Sequence, residues 1–203
     1  MTPSVWMFRP MVHGVNQLEY FLQYNRIGIG YPLGKNLENE GINNIYSMLH
    51  KKGWQDDYDN LMMIVKKDKM KINDILVVPD GNRKYVYLCQ VTSDYMYEKS
   101  LDKETDDDIG FPHQRGVKWF FNKEPLERSE LPEKIKASLR YPGAIADLTK
   151  HYDDIVSLIE NKNETVAGSS PLEEKALKIV ESYLDNEDPM IRLRACEIIL
   201  NKR

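Results

Sequence analysis

Apolar positions along the chain change period several times, and each change marks an element. "SVWMFRP" alternates briefly and stops at Pro10, as a short opening strand would. "NQLEYFLQYN" carries Leu18, Phe21 and Leu22 on one side, the spacing of a short amphipathic helix. "RIGIGYPLG" reads as a strand running into a loop punctuated by glycine. In "GINNIYSMLHKKG" the residues Ile42, Ile45, Met48 and Leu49 fall at helical spacing, with Gly53 as the stop. "DDYDNLMMIVKK" predicts a second helix, its acidic start and basic end matching the helix dipole.

The pattern then turns to strands. "INDILVVPDGNRKYVYLCQVT" places two β-rich runs around Asp80-Gly81-Asn82, a strong hairpin signal. "VKWFF" predicts a further strand after an acidic loop at Asp106, Asp107 and Asp108. "RSELPEKIKASLRYPG" predicts a short helix with Ser129 as its cap and Pro142-Gly143 as its end. "AIADLT" returns to the sheet and "YDDIVSLIEN" closes with a helix. "NKNETVAGSS" has linker composition. Two amphipathic helices broken at Asp188-Pro189 follow it. The expected organisation is an α+β domain over residues 1–160, a linker over 161–170 and a helical hairpin over 171–203.

Composition supports a folded chain: 203 residues, 41% hydrophobic, 10% aromatic, with twelve tyrosines. Twenty-eight Lys and Arg against 32 Asp and Glu leave a net charge of −4, which argues against coating nucleic acid by bulk charge but leaves room for a local basic face. Cys89 and Cys196 are expected to be buried free thiols rather than a disulfide. The chain has no apolar run near the roughly 20 residues of a membrane span, and its start does not read as a secretory signal, so the expected location is the cytoplasm with no membrane partner.

Several chemistries are missed by their templates. Gly30-Tyr31-Pro32-Leu33-Gly34-Lys35-Asn36 is one residue short of a phosphate loop and has Asn36 where a hydroxyl is needed. A metal-dependent nuclease hairpin needs acid and lysine on its second strand, where this chain has Gln90-Val91-Thr92 beside Asp74 and Asp80. His13, His50, His113 and His151 lack metal-ligand spacing. No catalytic residue, metal or cofactor is therefore expected, and the chain is not read as an enzyme. What the residues do offer is rings and cations at strand ends. Trp6, Tyr31, Tyr95, Tyr97 and Trp119 could wall a pocket that stacks a flat base, with Asp94 or a backbone carbonyl accepting from its amine. His113, Arg115 and Lys118 could form the rim that holds phosphates. The opposing reading of each ring is core. Tyr95 and Tyr97 share one face of an extended segment, and one of them is expected to pack inward.

These segments, in order, carry a resemblance. "INDILVVPDGNRKYVYLCQVTSDYMYE", "HQRGVKWF" and "RSELPEKIKASLRYPGAIADL" resemble the EVE/YTH/PUA-like DNA-reading domains of McrBC-type and Mrr-type modification-dependent restriction systems. The matching positions are Asn73-Asp74, Gln90-Val91-Thr92 to Tyr97, His113-Arg115-Val117-Trp119, and Arg128 with Leu131. "RIGIGYPLGKNL" is similar to that group's Ile-x-Ile-Gly-Trp strand, with Tyr31 for the tryptophan. Asn73 and Gln90 stand where the group has glycine. The resemblance implies a curved, partly closed β-barrel with flanking helices. It also implies a pocket for a flipped, modified base, in DNA rather than RNA, and a nuclease or motor partner. The C-terminal helices resemble a single HEAT-type hairpin whose stripe of Ile191, Leu193, Ala195, Ile198 and Ile199 needs cover, from its own domain or from a partner or second copy. Two other readings stand beside the reader: a protein-interaction scaffold using residues 171–203, and a small-molecule or nucleoside-binding protein.

Overall fold

A computed structural model describes residues 2–105, 110–167, 171–186 and 188–200. The chain divides into two compact units, Met1–Val156 and Ser157–Arg203. The first unit is built on a seven-stranded sheet. Its strands are β1 (Val5–Phe8), β4 (Arg26–Ile29), β5 (Ile75–Pro79), β6 (Tyr85–Tyr97), β7 (His113–Trp119), β8 (Leu126–Glu127) and β9 (Ile145–Asp147). A separate hairpin pairs β2 (Met11–Val12) with β3 (Val15–Asn16). The main path runs β4-β7-β6-β5-β1-β9, and β8 pairs with β6 off that path. Only β1 and β5 are parallel; every other pairing is antiparallel.

The strand β6 ties the sheet together. At 13 residues it is longer than any neighbour, and it pairs with three other strands. Tyr85 to Gln90 pair within the β5 and β8 ladders, while Tyr95 to Tyr97 pair only with β7. The register slips between Val91 and Tyr95. Such a bulge adds local twist and coils a sheet. Helices α1 (Leu18–Tyr24), α2 (Ile42–Lys51), α3 (Tyr58–Val65) and α4 (Glu133–Ser138) flank the sheet. Phe21, Ile45, Leu49, Leu61 and Ile64 from these helices join Ile27, Leu76, Val78, Cys89, Val91 and Val117 in one core. The predicted α+β class and the order of elements agree with this architecture.

Four expectations need correction. Ser129 does not cap α4, which starts at Glu133 behind Pro132; its hydroxyl bonds Glu127 instead. Pro132, with no N–H and a fixed φ, suits that helix start better than a distant serine. The strand predicted at "VKWFF" begins earlier, at His113, and ends before Phe120. The polar stretch expected as a linker from residue 161 is helical to Ala167, since α5 spans Tyr152–Ala167. Lys, Asn and Glu suit a solvated helix as well as a linker, and no helix breaker appears before Gly168. Cys89 is buried but Cys196 is exposed, and both are free thiols. Asp106, Asp107 and Asp108 lie outside the described residues.

The second unit carries α6 (Pro171–Ser182) and α7 (Pro189–Leu200). The break falls at Asp188-Pro189, where the Asp188 carboxylate accepts from the Met190 N–H at 2.9 Å. That is an N-cap followed by proline at the first helical position. Of the expected apolar stripe only Ala195 is buried; Ile191, Leu193 and Ile198 are exposed. Among the described residues no helix is long and apolar enough to cross a membrane.

Candidate functional site

The antiparallel ladder decides which rings can meet. β4 and β6 both run against β7, so their C-terminal ends adjoin its N-terminal end, with Ile29 and Tyr97 each opposite His113. Tyr31, Tyr95, Tyr97 and His113 therefore gather at one end of the sheet. They form a filled cluster rather than an open cage. His113 is fully buried, Tyr31 and Tyr95 are 6% exposed, and the Tyr95 ring stacks on His113 at 5.9 Å.

Hydrogen bonds fix this cluster's protonation. His113 Nε2 lies 2.9 Å from the Tyr31 carbonyl, which can only accept, so Nε2 carries the proton. Nδ1 then accepts from the Tyr95 hydroxyl at 2.9 Å, and that oxygen accepts from the Leu37 N–H at 3.2 Å. Burial holds the His113 imidazole neutral and pushes its pKa down to about 4. Burial raises the Tyr95 phenol to about 12. Burial and a hydrogen bond to Asp102 bring the Tyr97 phenol to a similar value.

The other expected site residues are spread apart. Trp119 is six residues along β7 from His113, about 20 Å at strand rise. It is 6% exposed, and its indole N–H reaches the Phe21 carbonyl at 3.3 Å. Trp6 lies on β1 and donates its indole N–H to Asp74 at 2.9 Å. Asp74 is itself buried and also accepts from the Ser4 and Lys71 N–H groups. Asn73, where the resemblance expects glycine, has φ +75°, a left-handed conformation that asparagine tolerates better than most residues. Asp94 is exposed and pairs with Lys67 at 3.4 Å. Lys118 is exposed beside Trp119 over a shallow recess that Asn25 and Lys123 also line.

Arg115 and His113 are not rim residues, because neither has any exposed surface. Arg115 bonds the carbonyls of Ile64 at 2.8 Å, Lys66 at 3.1 Å and Ser93 at 3.2 Å. The first two belong to the C-terminal end of α3, where carbonyls lack helical partners and a cation is favoured. An arginine in an "H-x-R-x-V-x-W" strand points inward with His113, since the two are neighbours two apart.

A partly open pocket lies next to Tyr31. It is small, about 230 Å3, and lined by Phe8, Arg9, Met11, Val12, His13, the Gly28 to Tyr31 segment, Asp57 and Ala144. The hairpin β2–β3 closes one side. His13 and Gly14 both have positive φ, 45° and 86°, as a two-residue hairpin turn requires. The hairpin presses on the chain at Gly30, just past β4: a Cβ there would sit 2.4 Å from Val12 Cγ1 and 2.9 Å from the His13 ring. His13 Nε2 donates to the Gly30 carbonyl at 3.1 Å. His13, Tyr31 and Trp54 form a triangle of rings with centroids 5.6 to 5.8 Å apart. Burial, and after it the nearby Asp57 carboxylate, raises the pKa of the Tyr31 phenol. The cavity thus offers two ring walls, one carboxylate and the free side of an edge strand, because β4 ends the sheet path.

Residues 13–140 match a family model described as a domain of unknown function (DUF8426). The chain belongs to that family. No curated protein matches it. The span matched to DUF8426 includes His13, Tyr31, Trp54 and Asp57, and leaves Phe8 and Arg9 outside it.

Of the DUF8426 cavity, sequence reasoning found only Tyr31. Two-residue strands around His13-Gly14 are too short to show alternation, although the turn itself was a readable signal. Trp54 follows a helix stop, and Asp57 reads as helix-start polarity. Nothing local ties either residue to Tyr31.

Proposed function

We propose that this chain is a nucleic-acid reader of the EVE/YTH/PUA-like kind, taking one flipped and modified base into the cavity beside Tyr31. The observation that carries the reading is that cavity. At about 230 Å3 it is below the roughly 300–1,000 Å3 typical of drug-sized ligands and suits a single planar group. His13 and Tyr31 supply ring faces, and Asp57 supplies an acceptor for an exocyclic amine or ring N–H. A curved, partly closed barrel is the finer fold this reading requires. It is supported by β1 and β4, which line the same cavity although β7, β6 and β5 separate them in the sheet.

The base enters past the β2–β3 hairpin, which carries exposed Met11 and Val15. Extrusion of a base costs a few kcal/mol, and each ring stack returns about 1–3 kcal/mol. The function is recognition in a defence setting in the cytoplasm. Cutting or strand movement falls to a nuclease or motor partner.

The test is fluorescence anisotropy with short duplexes and single strands, in DNA and RNA, carrying plain, methylated or hydroxymethylated bases. The expected result is at least tenfold tighter binding of one modified form, with a change in Trp54 emission that Trp54→Phe removes. Equal affinity for all forms overturns the modified-base part. Absence of binding at low salt overturns the reader.

A second reading, an interaction module, is favoured by exposed Met190, Ile191, Leu193 and Ile198 on α7 with Tyr183 just after α6. It expects a concentration-dependent mass in light scattering that deletion of residues 171–203 abolishes. A constant monomer mass removes the dimer.

A further inference from the structure

The strongest unassigned feature is a basic cleft in a chain of negative net charge. An open cleft of about 640 Å3 is lined by Arg83, Lys84, Glu127, Arg128, Lys136 and Arg140, together with Ser129. Five of these are cations and one is a carboxylate, a local charge of +4 where the whole chain carries −4. A smaller recess of about 120 Å3 shares Arg83, Arg128 and Arg140 and adds Arg9.

Three segments far apart in sequence converge here, and backbone bonds hold them. Arg83 sits in the β5–β6 turn at φ +62°, in a loop closed by Asp80, whose carboxylate accepts from the Tyr85 N–H at 3.2 Å. The Arg128 N–H donates to the Lys84 carbonyl at 2.8 Å, next to the β6–β8 pairing of Tyr85 with Glu127. Lys136 lies on α4, and Arg140 follows it. Arg9 fixes that end by donating to the carbonyls of Leu139 at 3.0 Å, Tyr141 at 2.6 Å and Gly143 at 3.2 Å.

The cleft arginines are less engaged than the paired lysines, although Arg128 donates to the Lys136 carbonyl at 3.5 Å and the charge of Arg140 acts on Glu133. Lys35, Lys52, Lys67 and Lys134 each have a carboxylate partner, and Lys136 has Glu133. Among the described residues no ion pair involves Arg83, Arg128 or Arg140. Glu127, the one carboxylate lining the cleft, accepts from the Ser129 hydroxyl. Burial, and after it the nearby charges of Arg128 and Arg83, hold the Arg9 guanidinium below its usual pKa. Guanidinium forks fit phosphate oxygens two at a time, and fixed forks lose less entropy on binding them.

We propose that this cleft is a phosphate-binding site, in which Arg83, Arg128 and Arg140 take phosphate oxygens and Lys84 and Lys136 add flanking charge. For the source of the phosphate, a nucleic-acid backbone, it rests on the reader proposed above; a free polyphosphate is the other source of the same chemistry. Arg9 lines both this recess and the base cavity, so one ligand could hold both with a base on one side of Arg9 and its phosphates on the other.

The test uses the full chain, a labelled 20-nucleotide single strand and duplex, and sodium tripolyphosphate. The variant is Arg83→Glu with Arg140→Glu; both side chains are exposed, so the fold is kept. The control is Lys67→Glu with Lys69→Glu, an equal change in net charge at exposed positions outside the cleft. The cleft variant is expected to weaken oligonucleotide binding at least tenfold, evenly across sequences, and to lower the slope of log affinity against log salt by about two. The control is expected to change affinity less than threefold. Oligonucleotide binding that the cleft variant leaves intact, or that the control weakens as much, overturns the cleft and leaves the reader standing. Tripolyphosphate binding lost in the cleft variant, with no oligonucleotide binding by the unaltered chain, keeps the cleft and overturns the reader. Binding of neither probe overturns the cleft.

Discussion

His113 and Arg115 show how one short motif can mislead about exposure. Both are chemistry-bearing residues, and both are spent inside the fold. His113 has its pKa lowered from 6.5 to about 4 by burial, so the folded state resists a proton that the unfolded chain accepts. Stability should be full above pH 6.5 and fall as pH drops from 6.5 toward 4, by about 3 kcal/mol across that window. Urea melts at half-unit pH steps would read this as a falling midpoint, and His113→Gln should flatten the slope. Arg115 satisfies three carbonyls, that of Ile64 buried and those of Ser93 and Lys66 partly so. Arg115→Met should cost about 3 kcal/mol or more, seen as a lower urea midpoint, because those acceptors are left unpaired. Folded Arg115→Met should keep the salt dependence of ligand binding, which an exposed phosphate contact would not. The alternation of "HQRGVKW" was enough to put His113 and Arg115 on one face. Which face is buried depends on α3 lying across β7, and a helix 50 residues earlier leaves no trace in that strand.

Elements with strong internal pattern were legible, and short ones were not. The β5–β6 hairpin, α2 and α3 each hold a full period of apolar residues, so their burial could be anticipated. The β2–β3 hairpin has two residues per strand, and its placement depends on one glycine in another element. Gly30 lets the hairpin lie against the end of β4, where a Cβ would meet the side-chain atoms Val12 Cγ1 and His13 Cδ2 at 2.4 and 2.9 Å. Gly30→Ala should therefore lift the hairpin, costing about 1–3 kcal/mol as overpacking does. It should also expose the Trp54 ring, read as a red-shifted emission and faster quenching by acrylamide. Unchanged Trp54 emission with unchanged stability would mean that the hairpin does not close the cavity. The helical run from residue 161 to Ala167 shows the opposite error: composition marked a linker, yet polar residues without a breaker continue a helix at little cost.

At the scale of the whole molecule, the proposed reader uses two places that no linear motif joins. The cavity is made by bringing β1 round to β4, and the cleft by bringing α4 to the β5–β6 turn. Neither convergence can be read from residues in order, since each depends on contacts between segments far apart in sequence. The net charge of −4 hid the cleft for the same reason, because a sum over the chain carries no position. A divided site makes a crossed prediction. Asp57→Asn keeps an acceptor for Tyr31 but replaces the anion with an amide, so it should reduce the preference among bases by about tenfold, as losing one charged hydrogen bond does, and leave the salt slope unchanged. Arg83→Glu with Arg140→Glu should do the reverse, lowering the slope while the ratio of affinities between modified and plain strands stays the same. Anisotropy titrations of both variants on the same pair of strands, at four salt concentrations, give the two quantities independently. If both variants move both quantities together, base and phosphate are held by one site and the division between cavity and cleft is wrong.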